Sequence, residues 1–138
     1  MTADDWIERG YAARKAGDRD RAIICYGEGA ETYRQTGEIQ SLASALRHIA
    51  DMHQETGALE RAAPLYDEAL TLYRSDPATR SLNLANCIRP MALLAESRGG
   101  DALALWREAR ALYVRAAEET GFDLQPAFDE CDRHLSER

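Results

Sequence analysis

The feature that most constrains this chain is a recurrence at forty residues. Ala22, Ala62 and Ala102 fall in one column, Tyr26, Tyr66 and Trp106 in a second, Glu28, Glu68 and Glu108 in a third, and Tyr33, Tyr73 and Tyr113 in a fourth. Upstream of each set runs another series: Trp6, Gly10, Ala13 and Gly17, then Leu46, Ala50, His53 and Gly57, then Ile88, Ala92, Ala95 and Gly99. Self-similarity at such a period marks a chain built from one supersecondary unit several times over, each copy too small to bury its own apolar face.

The unit is helical. Four prolines interrupt 138 residues, and no segment sustains the two-residue alternation of a half-buried strand. At 100° per residue, Ala62, Tyr66, Ala69 and Tyr73 lie within an arc of about 60°. Leu46, Ile49, Ala50 and His53 span about 100° of the preceding helix by the same geometry. Gly57 stands between the two stripes, where a helix must end and reverse. Each copy therefore reads as helix, glycine turn, helix, in which small residues bring the backbones close and the ring at 26, 66 or 106 fills the space they leave.

On these residues, and above all on "LRHIADMHQETGALERAAPLYDEAL", the chain resembles the tetratricopeptide repeat (TPR) family over residues 3 to 120. Its period near forty is similar to the extended repeats of the kinesin light chain type. Gly29, where the family usually has Ala, is one departure. The resemblance implies an all-α, right-handed α-solenoid of three stacked helix-turn-helix repeats with a C-terminal capping helix. One domain over 1–138 is expected, with repeats at 3–36, 38–75 and 77–120 and the cap at 124–136.

Local signals place the boundaries. Thr2 opens a T-x-x-D cap, Asp18 caps the second helix and Gly37 ends it. Asp76 and Pro77 read as the cap and first position of the fifth helix, which Pro90 then bends. The upstream series of the third copy is offset by 42, which predicts an inter-helix turn two residues shorter. Phe128, Cys131 and Leu135 share one face of the closing segment, as a lid over the last hairpin requires. From Glu118 onward there are seven acidic residues against two basic, read as a solvated face.

Composition excludes several functions. A net charge of −7 opposes nucleic acid as the main partner. No apolar run approaches the roughly 18 residues of a membrane span, and "MTADDWIERG" lacks the form of a signal peptide, so a cytoplasmic location is expected. Cys25, Cys87 and Cys131 are widely spaced and odd in number, which suits reduced, packed thiols. His48 and His53 lie about 140° apart on a helix and cannot converge on one metal ion. His134 has no partner pattern, and no nucleophile has a positioned base; neither enzymatic activity nor a cofactor is expected.

In the resembled family the first helix of each pair lines a concave surface. By alignment the lining residues are Tyr11, Arg14 and Lys15, then Arg47, His48, Asp51 and Gln54, then Asn86, Arg89 and Leu93. This implies an interaction module for a protein or peptide, with acidic or carboxylate-bearing segments suited to the guanidinium groups. The columns that serve the family's peptide clamp hold Ile7 and Tyr11 in the first copy, so binding of chaperone C-termini is not implied. Two other readings stay open: self-association as a homodimer, and a small-ligand or signalling sensor using the same groove.

Overall fold

The computed structural model describes residues 1–136. Positions 137 and 138, which end both the 1–138 reading and the acidic run, lie outside the described residues. Seven α-helices and no strand occur among them: α1 Ala3–Lys15, α2 Arg19–Thr36, α3 Ile39–Glu55, α4 Leu59–Arg74, α5 Ser81–Ser97, α6 Leu103–Thr120 and α7 Gln125–Ser136. Where the sequence reads as one domain, the contacts group into two compact units, Met1–Ser75 and Asp76–Arg138.

In the first unit α1 packs on α2, α2 on α3 and α3 on α4. Thr2 and Asp5 form a reciprocal capping box, and Asp18 accepts the Arg21 N–H at 3.1 Å, so both helices of the first pair start where the sequence signals them. Gly17 and Gly57 turn the two pairs at φ 83° and 80°, a backbone region closed to most side chains. Tyr26 and Tyr66 are buried, at 2% and 0% exposure, beside Ala22 and Ala62, both at 0%. Ala13, Ala22, Tyr26, Ile49 and Met52 form a continuous core, with Ile7, Ile23 and Leu65 packed on it. Burying one such large side chain contributes about 2 kcal/mol, so these columns dominate the stability of each pair.

The small positions are explained by what faces them. A Cβ at Gly10 would fall 2.9 Å from Tyr26 Cδ2, so the ring occupies the volume a side chain would need. A Cβ at Gly29 would come 2.7 Å from Ile7 Cδ1 and 3.3 Å from the Ala3 carbonyl oxygen. Gly29 departs from the repeat pattern because Ile7 already fills its site.

In the second unit α5 packs on α6, and α6 on α7. The fifth helix starts at Ser81, not at Pro77. Asp76 Oδ1 accepts the Ala78 N–H at 2.9 Å and the Thr79 N–H reaches the Asp76 carbonyl at 3.1 Å, closing a turn that the sequence disguises as a helix cap. The start is fixed from another helix: Glu119 of α6 accepts the Ser81 N–H at 3.2 Å and its hydroxyl at 2.6 Å. These hydrogen bonds also hold the Glu119 carboxyl below its ordinary pKa. From there α5 runs unbroken through Pro90.

The third inter-helix turn is longer, not shorter. It covers 98–102, against 16–18 and 56–58 in the first two pairs. The two residues missing from the sequence come out of the first turn of α6, which begins at Leu103, just after the Ala102 column, whereas α2 and α4 begin three positions before Ala22 and Ala62. Asp101 Oδ1 accepts the Leu103 N–H at 2.9 Å and the Gly100 N–H reaches the Ala95 carbonyl at 2.8 Å, which fixes the tighter path. Trp106, Ala109, Leu112, Tyr113 and Ala116 form the buried stripe of α6.

Candidate partner-binding site

The first helices of the pairs bury their small and apolar residues and leave a polar stripe. In the first unit that stripe is a hydrogen-bonded set. Arg14 of α1 donates from Nη2 to Glu55 Oε1 of α3 at 2.5 Å, and its Nη1 lies 3.4 Å from His48 Nδ1. Arg19 Nη2 reaches the other Glu55 oxygen at 3.1 Å. One turn back along α3, Arg47 Nη1 donates to Asp51 Oδ2 at 2.9 Å. The Tyr66 hydroxyl of α4 sits 2.5 Å from Asp51 Oδ1 and 2.9 Å from Gln54 Oε1. Arg14 is thus held by Glu55 and His48, and Arg47, Asp51 and Gln54 form a second set around the Tyr66 hydroxyl.

His48 stacks on Tyr26 with ring centroids 5.2 Å apart and planes 20° from parallel. A guanidinium only donates, so His48 Nδ1 is the acceptor and the ring is neutral. Burial, reinforced by the charges of Arg47 and Arg14, lowers its pKa to about 4. His53 is half-buried, and burial with a smaller effect of Arg61 lowers its pKa as well. Tyr11 is 57% exposed on α1, with Lys15 Nζ 5.3 Å from its ring centroid. That pair offers an aromatic face and a cation directly to solvent.

The second unit carries Asn86, Arg89 and Leu93 on α5, all half-buried. Arg89 meets Glu130 of α7 through Nε and, at 2.9 Å, through Nη2. His134, which shows no partner pattern in the sequence, has two partners: it stacks on Trp106 at 4.0 Å and 12°, and its Nδ1 lies 2.9 Å from Glu96 Oε1.

The expected guanidinium groups are matched by carboxylates: Arg14 by Glu55, Arg47 by Asp51 and Arg89 by Glu130. Glu55 and Glu130 are the residues that sequence reasoning missed. Glu55 was detectable as the acid one helical turn beyond Asp51 on the same face; Glu130 belongs to a different helix from its partner and leaves no periodic trace. Among the described residues, no group of three or more His, Cys, Asp or Glu side chains is arranged to hold a metal ion. Among the described residues the three cysteines are buried and no disulfide joins them. Among the same residues, no helix is long and apolar enough to cross a membrane.

Paired helices packed ring against small residue, with polar first-helix faces, define an all-α, TPR-like helical-repeat solenoid. The family model described as soluble NSF attachment protein, SNAP, matches residues 1–120, and the chain belongs to that family. The solved structure of BtubC (BKLC) from P. vanneervenii is similar in fold, with a TM-score of 0.69 at 16% identity over 98% of this chain. The chain spans 62% of that protein's length. No curated protein matches the sequence.

Proposed function

We propose that the chain is a non-enzymatic adaptor that binds another protein through the first-helix faces within each unit. The residues are Tyr11, Arg14, Lys15, Arg47, His48, Asp51 and Gln54 in the first unit, and Asn86, Arg89 and Leu93 in the second. One observation carries this reading: Gly10 and Ala13 of α1 and Leu46, Ile49 and Ala50 of α3 are taken up by the core, while polar residues of the same helices form hydrogen-bonded sets beside the exposed Tyr11–Lys15 pair. Side chains locked before association lose less entropy on binding.

Membership in a family described as attachment proteins supports the adaptor role, and NSF is the first purified candidate to assay. The forty-residue period supports the finer likeness to kinesin light chain repeats. Reduced, buried thiols suit a cytoplasmic setting. No cofactor enters the reading.

The bound segment is acidic. Because Arg14 and Arg47 already face carboxylates, an incoming carboxylate exchanges with Glu55 or Asp51 instead of meeting a bare cation. Glu55→Gln is therefore expected to strengthen capture, and Tyr11→Ala with Lys15→Glu to abolish it without changing helicity. The experiment is affinity capture from the native lysate by wild type and both variants, followed by titration of the captured protein. Equal capture by all three would remove this face from consideration.

A further inference from the structure

Helix α7 is attached to its unit in an unusual way. It lies across α5 and α6 and contributes one fully buried residue, Cys131, whereas α3 contributes seven buried residues. The rest of its hold combines half-buried Ala127, Phe128 and Leu135 with polar contacts. At 100° per residue, Glu130 and Asp132 project about 100° to either side of Cys131, toward opposite flanks of the helix. Glu130 meets Arg89 on α5, and Asp132 Oδ1 accepts from Arg110 Nε on α6 at 2.6 Å. Arg110 also lies 5.5 Å over the Phe128 ring, and His134 completes the contact on Trp106 and Glu96.

The ring stack of this contact recurs where α3 sits on the first pair, while the ion pair recurs at another register, Glu55 standing seven positions after its histidine and Glu130 four before. There too a histidine of the incoming helix, His48, stacks on the ring of the second helix, Tyr26, and an arginine of the first helix, Arg14, takes a carboxylate of the incoming helix, Glu55. The surface of a pair is thus a receptor for one more helix, and α7 fills it with Cys131 as its one fully buried side chain. The Arg89 and Arg110 side chains are each 41% exposed, Asp132 is 53% and Glu130 19% exposed, so salt reaches both pairs and screens Arg110–Asp132 the more.

We propose that the α5–α6 face is a docking surface for an acidic amphipathic helix, and that α7 is its exchangeable occupant in cis. The helix it accepts carries carboxylates on both sides of one small apolar residue, an aromatic ring three positions before that residue and a flat ring three positions after it, as Phe128, Glu130, Cys131, Asp132 and His134 do. The inference rests on the reading of the chain as a protein-binding module, but its first test needs no partner.

Cys131 reports the release of α7. Burial pushes its thiol up to about 11, so alkylation requires opening. The full chain is labelled with iodoacetamide under native conditions, and the rates at Cys25, Cys87 and Cys131 are resolved by mass spectrometry. Cys131 is expected to react well ahead of the other two, faster at high salt, and roughly tenfold faster again in Glu130→Gln with Asp132→Asn, as removal of two partly exposed ion pairs implies. In a second step a fluorescein-labelled peptide of residues 122–136 is titrated into the full-length Cys131→Asp chain, whose own α7 cannot seat, and into the wild type. Binding is expected to the variant above the wild type, and to be lost on adding Arg89→Gln and Arg110→Gln. Equal labelling of the three thiols, no peptide binding to the variant, or binding indifferent to the two arginines would each overturn the proposal. None of these outcomes depends on partner capture by α1 and α3.

Discussion

His48 gives the fold a pH dependence whose size follows from its surroundings. In the unfolded chain its imidazole titrates near 6.5; in the folded unit, burial against Tyr26 and the neighbouring charges of Arg47 and Arg14 lower this to about 4. The unfolded state therefore takes up a proton as pH falls through 6.5, and the folded state does not until about 4. The stabilisation is fully present above 6.5 and is lost as pH falls toward 4. Each pH unit within that window removes about 1.4 kcal/mol, so lowering the pH to about 5 removes about 2 kcal/mol. His53, whose pKa is also lowered, acts in the same sense, so the comparison must isolate His48. His48→Phe keeps a ring on Tyr26 and removes the titration. Urea unfolding of both chains at pH about 7 and about 5 is the assay, and the wild type is expected to lose about 2 kcal/mol more than the variant across that interval. Equal losses would show that His48 is not held neutral, and the picture of a dry, cation-flanked ring between α1, α2 and α3 would fail with it.

Tyr66→Ala empties a fully buried site and is expected to cost about 4 kcal/mol, lowering the urea midpoint by roughly 2 M; Tyr66→Phe, which loses only the hydroxyl contacts to Asp51 and Gln54, is expected to cost about 1 kcal/mol. A cost below about 1 kcal/mol for the alanine variant would mean that the ring is not a filler. Gly57→Ala meets no atom within 4 Å, so its cost is set by backbone conformation alone, at about 1–2 kcal/mol in the same assay. Breaking the exposed Arg34–Glu68 pair between α2 and α4 by Arg34→Gln is expected to cost under about 1 kcal/mol, and a larger loss would contradict its exposure.

The ring columns were legible in the sequence because core packing repeats with the helix pair. Tyr26, Tyr66 and Trp106 stand at equal spacing, and a column of alanine accompanies them at 22, 62 and 102. Contacts between helices without that period were not legible. Glu119 fixes the start of α5 from 38 positions away, and a reader of the sequence sees only Asp76 and Pro77, which make a plausible cap. His134 finds Glu96 at the same separation, and nothing near it announces a partner. For the candidate face, the arginines at 14, 47 and 89 and the local i,i+4 pair of Arg47 with Asp51 were readable. That Arg14 meets Glu55 and Arg89 meets Glu130 was not, because each acid lies on a different helix from its arginine.

The most direct test of ring-against-small-residue packing uses Trp106, the one indole left in the Trp6→Phe chain. Trp106 is at 0% exposure, and its Nε1 has no hydrogen-bond partner among the described residues. Its emission is therefore expected to be strongly blue-shifted and, in the native chain, far less quenched by acrylamide than in denaturant. Red-shifted emission, quenched in the native chain as readily as in denaturant, would contradict it.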